Sequence, residues 1–257
     1  MKTLFFCLIL FQLSAQELNV YQASQHFQCY SSVKDHDIVS ELLSIAEDFY
    51  SLLNLVFHED INITIEINLF PDLDSHHQAI GIEDAPSWVV ARSNDRKIDI
   101  VSPLNPGPVH TGESLKKIFL LSISQIYISN AFGNDIPYWL LYGVAAKRVN
   151  YFSKRLSSPP PTLQDLETDD YQTFVDIGGF ACGYSLAAYI ESKYGFEKVI
   201  DLLKDYSSFE EILGISKDQL YQEWQELFWH STEQFGLFLG SRGCPVPERS
   251  RTNFSRE

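Results

Sequence analysis

Ser114-Leu115-Lys116-Lys117-Ile118-Phe119-Leu120-Leu121-Ser122-Ile123-Ser124-Gln125-Ile126-Tyr127-Ile128-Ser129-Asn130 decides the fold. From Ile118 to Ile128 the polar interruptions are Ser122, Ser124 and Gln125. A segment apolar on nearly every face belongs inside a protein. Its β-branched content would also suit a strand, but its length favours a helix. The spacing therefore predicts a buried helix over 114–130. Pro137-Tyr138-Trp139-Leu140-Leu141-Tyr142-Gly143-Val144-Ala145 follows, and predicts a second helix over 138–151 entered after Pro137.

Toward the N-terminus the pattern changes. Residues 37–57 place Ile38, Leu42, Ile45, Phe49, Leu52 and Val56 at gaps of three and four, an amphipathic helix with Asp35 or Asp37 as its cap. Residues 61–70 alternate Ile61, Ile63, Ile65, Ile67 and Leu69 with polar neighbours until Pro71, which predicts a strand. His26-Phe27-Gln28-Cys29-Tyr30 alternates more weakly and predicts a first strand. Residues 87–91 and 97–101 predict two more, joined as a hairpin by a turn over 92–96. The Pro/Gly loop at 103–108 is the best lobe boundary. Beyond it lie a Ser/Pro loop at 157–161 and helices near 180–194, 196–206 and 217–235. Strands come first and helices afterwards, so the expected class is α+β. An N-terminal mixed-sheet lobe with a long helix (16–110) leads into a mainly helical lobe (111–235). A polar tail, expected to fray, closes the chain over 236–257.

Of 257 residues 45% are hydrophobic and 21% charged, the balance of a globular protein. The formal net charge of -15 argues against nucleic acid and anionic membranes, since phosphate recognition needs clustered Lys and Arg. Residues 1–15 join Lys2 to a short apolar run and end at Ala15. They read as a secretory signal, too short to span a bilayer. No second long apolar run follows. The expected mature protein has no transmembrane segment and is secreted, periplasmic or extracellular. Loss of Cys7 with the signal would leave Cys29, Cys182 and Cys244, an odd set without C-x-x-C spacing. Asn62-Ile63-Thr64 and Asn253-Phe254-Ser255 fit the glycosylation pattern.

Several landmarks occur together and in order. They are Asp84-Ala85-Pro86-Ser87-Trp88-Val89-Val90, the run Ile98 to His110, Glu113-Ser114-Leu115-Lys116-Lys117, Pro137 to Ala145, Gly183-Tyr184-Ser185-Leu186 with Tyr194-Gly195, and Ser216 to Phe228. This combination resembles the peptidase MA-like group of gluzincin metallopeptidases. The resemblance covers roughly residues 27–228. It implies a zincin-like fold, in which a zinc helix reads H-E-x-x-H and a later W-L-x-E-G-x-A supplies the third ligand. Leu121 and Gln125 stand at the two histidine positions, Ser122 at the general-base position and Tyr142 at the glutamate position. Leucine has no lone pair, glutamine is a poor zinc ligand, and an ordinary serine hydroxyl cannot take a proton from metal-bound water. The zinc expected of the family therefore has no ligands here, and no cofactor is expected. Leu121 and Tyr142 are read as filling the space vacated by metal and ligands, with a hydrogen bond from Tyr142 to Gln125.

The implied function is that of an exported pseudoenzyme with a peptide- or protein-binding or structural role. Trp88, Val89, Val90 and Trp139 are the candidate cleft, since backbone pairing along an edge strand does not need zinc. The alternative is an active hydrolase with a displaced site. His58-Glu59-Asp60 lacks a second ligand four residues on and reads as a solvated helix end. His76-His77 is a weak metal candidate, because adjacent side chains diverge. His110 and Glu113 read as capping residues at the mouth of the buried helix. Gly183-Tyr184-Ser185 lies inside an expected helix rather than at a nucleophile elbow. Cys182 reads as a core thiol.

Overall fold

The structure, a computed structural model, describes residues 19–31, 36–133, 135–151 and 160–235. The signal (1–15), Asp35, most of the 157–161 loop, Cys7, Cys244, the Asn253 tripeptide and the polar tail lie outside the described residues.

The described residues form a mixed α+β fold. Strands β1 (Asn19–Ala23), β2 (Phe27–Ser31), β3 (Ile65–Phe70), β4 (Ala91–Asn94) and β5 (Lys97–Val101) make one sheet in the order β1-β2-β3-β5-β4. The central pairs β2–β3 and β3–β5 are parallel, and the outer pairs β1–β2 and β4–β5 are antiparallel. Parallel pairing requires crossovers. Helix α1 (His36–Phe57) links β2 to β3, and the short α2 (Leu73–Ala79) lies between β3 and the β4–β5 hairpin. The chain then becomes helical: α3 (Gly112–Phe132), α4 (Tyr138–Arg148), α5 (Leu163–Leu166), α6 (Tyr171–Asp176), α7 (Gly179–Tyr194), α8 (Phe196–Lys204), α9 (Phe209–Leu213) and α10 (Lys217–Phe235). No described helix is long and apolar enough to cross a membrane.

The nearly all-apolar stretch is the buried helix its composition requires. In α3 Phe119 and every residue from Ser122 to Ile128 are buried. Its N-terminus is closed by a capping box: Ser114 N donates to Thr111 Oγ1 and Thr111 N to Ser114 Oγ. Capping thus falls to Thr111 and Ser114 rather than His110 and Glu113. Gly133 ends the helix at φ 100, a conformation costly for any residue with a Cβ.

Helix α1 buries a stripe rotated from the expected one. Ile38, Leu42 and Phe49 face the core as predicted, but Leu53 and Phe57 follow them, while Leu52 is 47% exposed. Tyr50 fixes this rotation. It is fully buried, donates to Ile61 O at 2.9 Å and stacks against His26. The strand expected over 61–70 begins at Ile65, and the predicted strand at 87–91 is shifted to Ala91–Asn94. The carbonyls of Trp88 and Val89 are taken by side chains instead of by a neighbouring strand: His110 Nε2 lies 3.1 Å from Trp88 O and His77 Nε2 2.8 Å from Val89 O.

One continuous core joins both halves. It contains Phe27, Ile65, Ile67 and Ile98 from the sheet, Leu53 and Phe57 from α1, and Trp139, Leu186, Ile190 and Trp224 from the later helices. Helix α4 crosses α7 at backbone contact. A Cβ built on Gly143 would lie 2.2 Å from Gly183 O, and one built on Gly183 would lie 2.5 Å from Trp139 O. Trp224 Nε1 on α10 donates to Ser185 Oγ on α7 at 3.0 Å, tying the last helix to the pair.

Candidate functional site

A cavity of about 690 Å³ opens between the β4–β5 hairpin, the C-terminal half of α3 and the start of α4. That volume lies within the range of roughly 300–1,000 Å³ usual for ligand pockets. Gln125 and Tyr142 both line it. The fold therefore brings together two side chains that the sequence resemblance sets at ligand positions. Leu121 is half-buried and packs against the core, and Ser122 is buried on α3.

Two hydrogen bonds clamp the hairpin to α3 across the cavity. Ser93 Oγ donates to Gln125 Oε1 at 3.1 Å, and Arg96 Nε donates to Asn130 Oδ1 at 3.1 Å. Asn130 is itself fixed, donating through Nδ2 to Ile126 O at 2.9 Å. The hairpin turns at Asp95, whose φ of 49 lies in the left-handed region that Asp tolerates better than most residues. That turn places Arg96 beside the cavity.

Tyr142 forms one wall together with an aromatic cluster. Its ring lies 5.8 Å from Phe174 in a stacked arrangement and 4.9 Å from Phe180 edge-on, and Tyr138 and Tyr171 complete the group at 6.0 Å each. Such pairings add roughly 0.5–1.5 kcal/mol beyond area burial. The hydroxyl faces Tyr171 rather than Gln125. The expected Tyr142–Gln125 bond is not formed among the described residues; the Gln125 carbonyl accepts from Ser93 instead. Burial pushes the Tyr142 phenol well above its ordinary range, so a phenolate ligand is disfavoured at neutral pH.

The candidate cleft residues separate. Trp88 is 51% exposed, outside any strand. Val89 is half-buried, and Val90 joins a small cluster with Val101 and Leu115. Trp139 is fully buried, its ring edge-on to Tyr206. Trp139 is therefore a core residue and not a cleft wall. No functional signal in the sequence marks Ser93-Asn94 at the end of β4 and Asp95-Arg96 in the turn after it, which face the cavity.

A zinc ion, which the sequence resemblance implies, does not fit these residues. Gln125 offers an amide, Tyr142 a neutral phenol and Leu121 nothing. Among the described residues no group of three His, Cys, Asp or Glu side chains could hold a metal ion. The other candidates also have local explanations. His58 is exposed just past the end of α1. Cys182 is fully buried in α7, where burial pushes its thiol up to about 12 and keeps it unreactive.

His76 and His77 are both buried on α2, their rings tilted with centroids 5.7 Å apart. His77 is spent on the Val89 carbonyl. Burial holds His76 down to about 4, helped by His77 and opposed by the Asp99 carboxylate. Above about pH 6.5 the ring is neutral in both folded and unfolded chains and contributes no pH dependence. Between 6.5 and 4 the unfolded ring takes a proton that the folded one resists, so stability falls as pH falls. The expected loss over that window is about 3 kcal/mol. His76→Leu should remove that part of the acid sensitivity in urea titrations at pH 7 and pH 4.5. An unchanged difference between the two pH values would show that His76 does not carry it.

Compared with family models and with curated proteins, the chain matches none.

Proposed function

We propose that this chain is an exported, zincin-like pseudoenzyme of the peptidase MA-like kind, whose former substrate groove now binds peptide without metal. The observation that carries this reading is the cavity of about 690 Å³, which has Gln125 and Tyr142 in its walls and β4 at its side. β4 is the last strand of the sheet, so its outer edge has backbone groups without a sheet partner. An extended peptide pairs with such an edge through main-chain hydrogen bonds, which need no metal. This reading assigns no metal chemistry to the groove. Ser122 is buried beside apolar neighbours, and the position of the third ligand is occupied by an aromatic ring packed on other rings.

The test has two arms. Purified protein dialysed against zinc is expected to hold well under one metal per chain by plasma mass spectrometry, and to leave a broad peptide library uncut. Stoichiometric zinc with cleavage would establish the active-hydrolase alternative instead. On a hexapeptide array the protein is expected to bind, and Ser129→Trp, which places a large ring in the cavity, should abolish that binding. An array with no signal for the native chain rejects the groove.

A further inference from the structure

We propose that the cavity receives the free C-terminal carboxylate of an extended peptide, with the Arg96 guanidinium and the Gln125 amide as its donors; this rests on the peptide-groove reading above. The two clamping bonds set the donors. Gln125 spends its carbonyl oxygen on Ser93, which leaves its NH₂ group without a partner among the described residues. Gln125 is 9% exposed and lines the cavity, so the open side of its amide lies there. Arg96 spends Nε on Asn130 and leaves the two terminal nitrogens of its fork.

The described arginines differ in how they are held. Arg148 is bound by Glu191 at 2.5 Å, whereas Arg92, without a carboxylate partner among the described residues, donates to Ile80 O away from the cavity lining. Arg96 has no carboxylate partner among the described residues, in a chain whose formal net charge is -15. A planar guanidinium held by one edge, with its terminal donors free, matches the two oxygens of a carboxylate. Asp95 also lines the cavity, so a dianion such as phosphate meets a like charge there, whereas a peptide's monoanion is better tolerated.

The fold also supplies a direction. β4 ends at Asn94, and Arg96 follows within the turn. A peptide running along the strand edge therefore meets the unpaired cation where the strand stops, which suits a chain end better than a mid-chain residue. A side-chain carboxylate has no equivalent reason to fall at that point.

The test uses a randomised hexapeptide library in two forms, free acid and C-terminal amide, titrated by fluorescence anisotropy. The acid form is expected to bind at least tenfold more tightly. Arg96→Ala, which is exposed and should keep its circular dichroism spectrum, is expected to bring the two forms within twofold. Equal binding of acid and amide by the native chain overturns the carboxylate assignment and leaves the groove standing. Binding of neither form overturns both. An acid preference that survives in Arg96→Ala overturns the role of Arg96. Acetate alone binding as tightly as the peptide acid overturns the peptide as the source of the carboxylate.

Discussion

Gly143→Ala is expected to cost about 3 kcal/mol or more of folding stability, at the upper end of what overpacking exacts. The added methyl would lie 2.2 Å from Gly183 O and 2.5 Å from Gly183 C. Those atoms are helix backbone, so no rotamer change relieves the clash and α4 must move off α7. That movement would disturb Trp139, Leu140 and Leu186, all fully buried at this crossing. Gly183→Ala should behave similarly, since its methyl would meet Trp139 O at 2.5 Å. Separation forced by one change makes room for the other. The double variant is therefore expected to cost clearly less than the sum of the singles. Urea midpoints measure all three. A Gly143→Ala midpoint within about 0.5 kcal/mol of the native chain, the ordinary scatter of surface changes, would disprove the backbone contact.

Tyr142→Glu, which restores the residue type the family resemblance calls for, should destabilise the fold by about 3 kcal/mol at neutral pH. The carboxylate would be surrounded by Tyr138, Tyr171, Phe174 and Phe180, with no cation among the rings that contact Tyr142. Burial raises a carboxyl group above its unfolded value. The loss should then be smallest below about pH 4, where the group is protonated in both states, and grow as pH rises toward the raised folded value. Tyr142→Phe keeps the ring stack and should cost less than about 1.5 kcal/mol. Zinc is not expected to rescue Tyr142→Glu, because Leu121 and Gln125 still supply no ligand nitrogen. Stability equal to the native chain at pH 7 would mean that the packing of Tyr142 against these rings does not stabilise the fold.

These two variants probe two different packing contacts of α4. Trp139, Leu140, Gly143, Val144 and Ala145 all serve the α4–α7 contact and the core beneath it. Their packing role does not depend on metal. Tyr142, on the same helix, packs against the rings of Phe174 and Phe180.

Long elements were legible in the sequence because their periodicity is long. The buried helix α3, the amphipathic α1 and the closing α10 fall where the apolar spacing put them. Short ones were not. β1, α2, α5, α6 and α9 span too few residues for a periodic signal. The strand at 87–91 was misplaced because Trp88, Val89 and Val90 have strand-like composition. Their conformation is decided by Pro86 in a turn, with Val89 N bonded to Pro86 O, and by two histidines drawn from distant segments.

For the candidate site, the sequence pointed to Gln125 and Tyr142 but could not place their partners. Ser93 in β4 and Arg96 in the turn after it lie about 30 residues before Gln125 and Asn130, and their residue types suggest only a hairpin. Trp139 was misassigned to the cleft for the converse reason. The helical period places it near Tyr142, but which face meets α7 is fixed by the two glycines at the crossing.

The sequence by itself determined the α+β order and the buried α3. These follow from residue type and local spacing, which need no knowledge of distant contacts. Only the tertiary structure decided that Gln125 is bonded to Ser93, that Tyr142 joins an aromatic wall, and that Arg96 is left facing a cavity. Each of those depends on which surfaces α3, α4, α7 and the hairpin present to one another. That choice is set by close packing across the whole core, and no single stretch of chain encodes it.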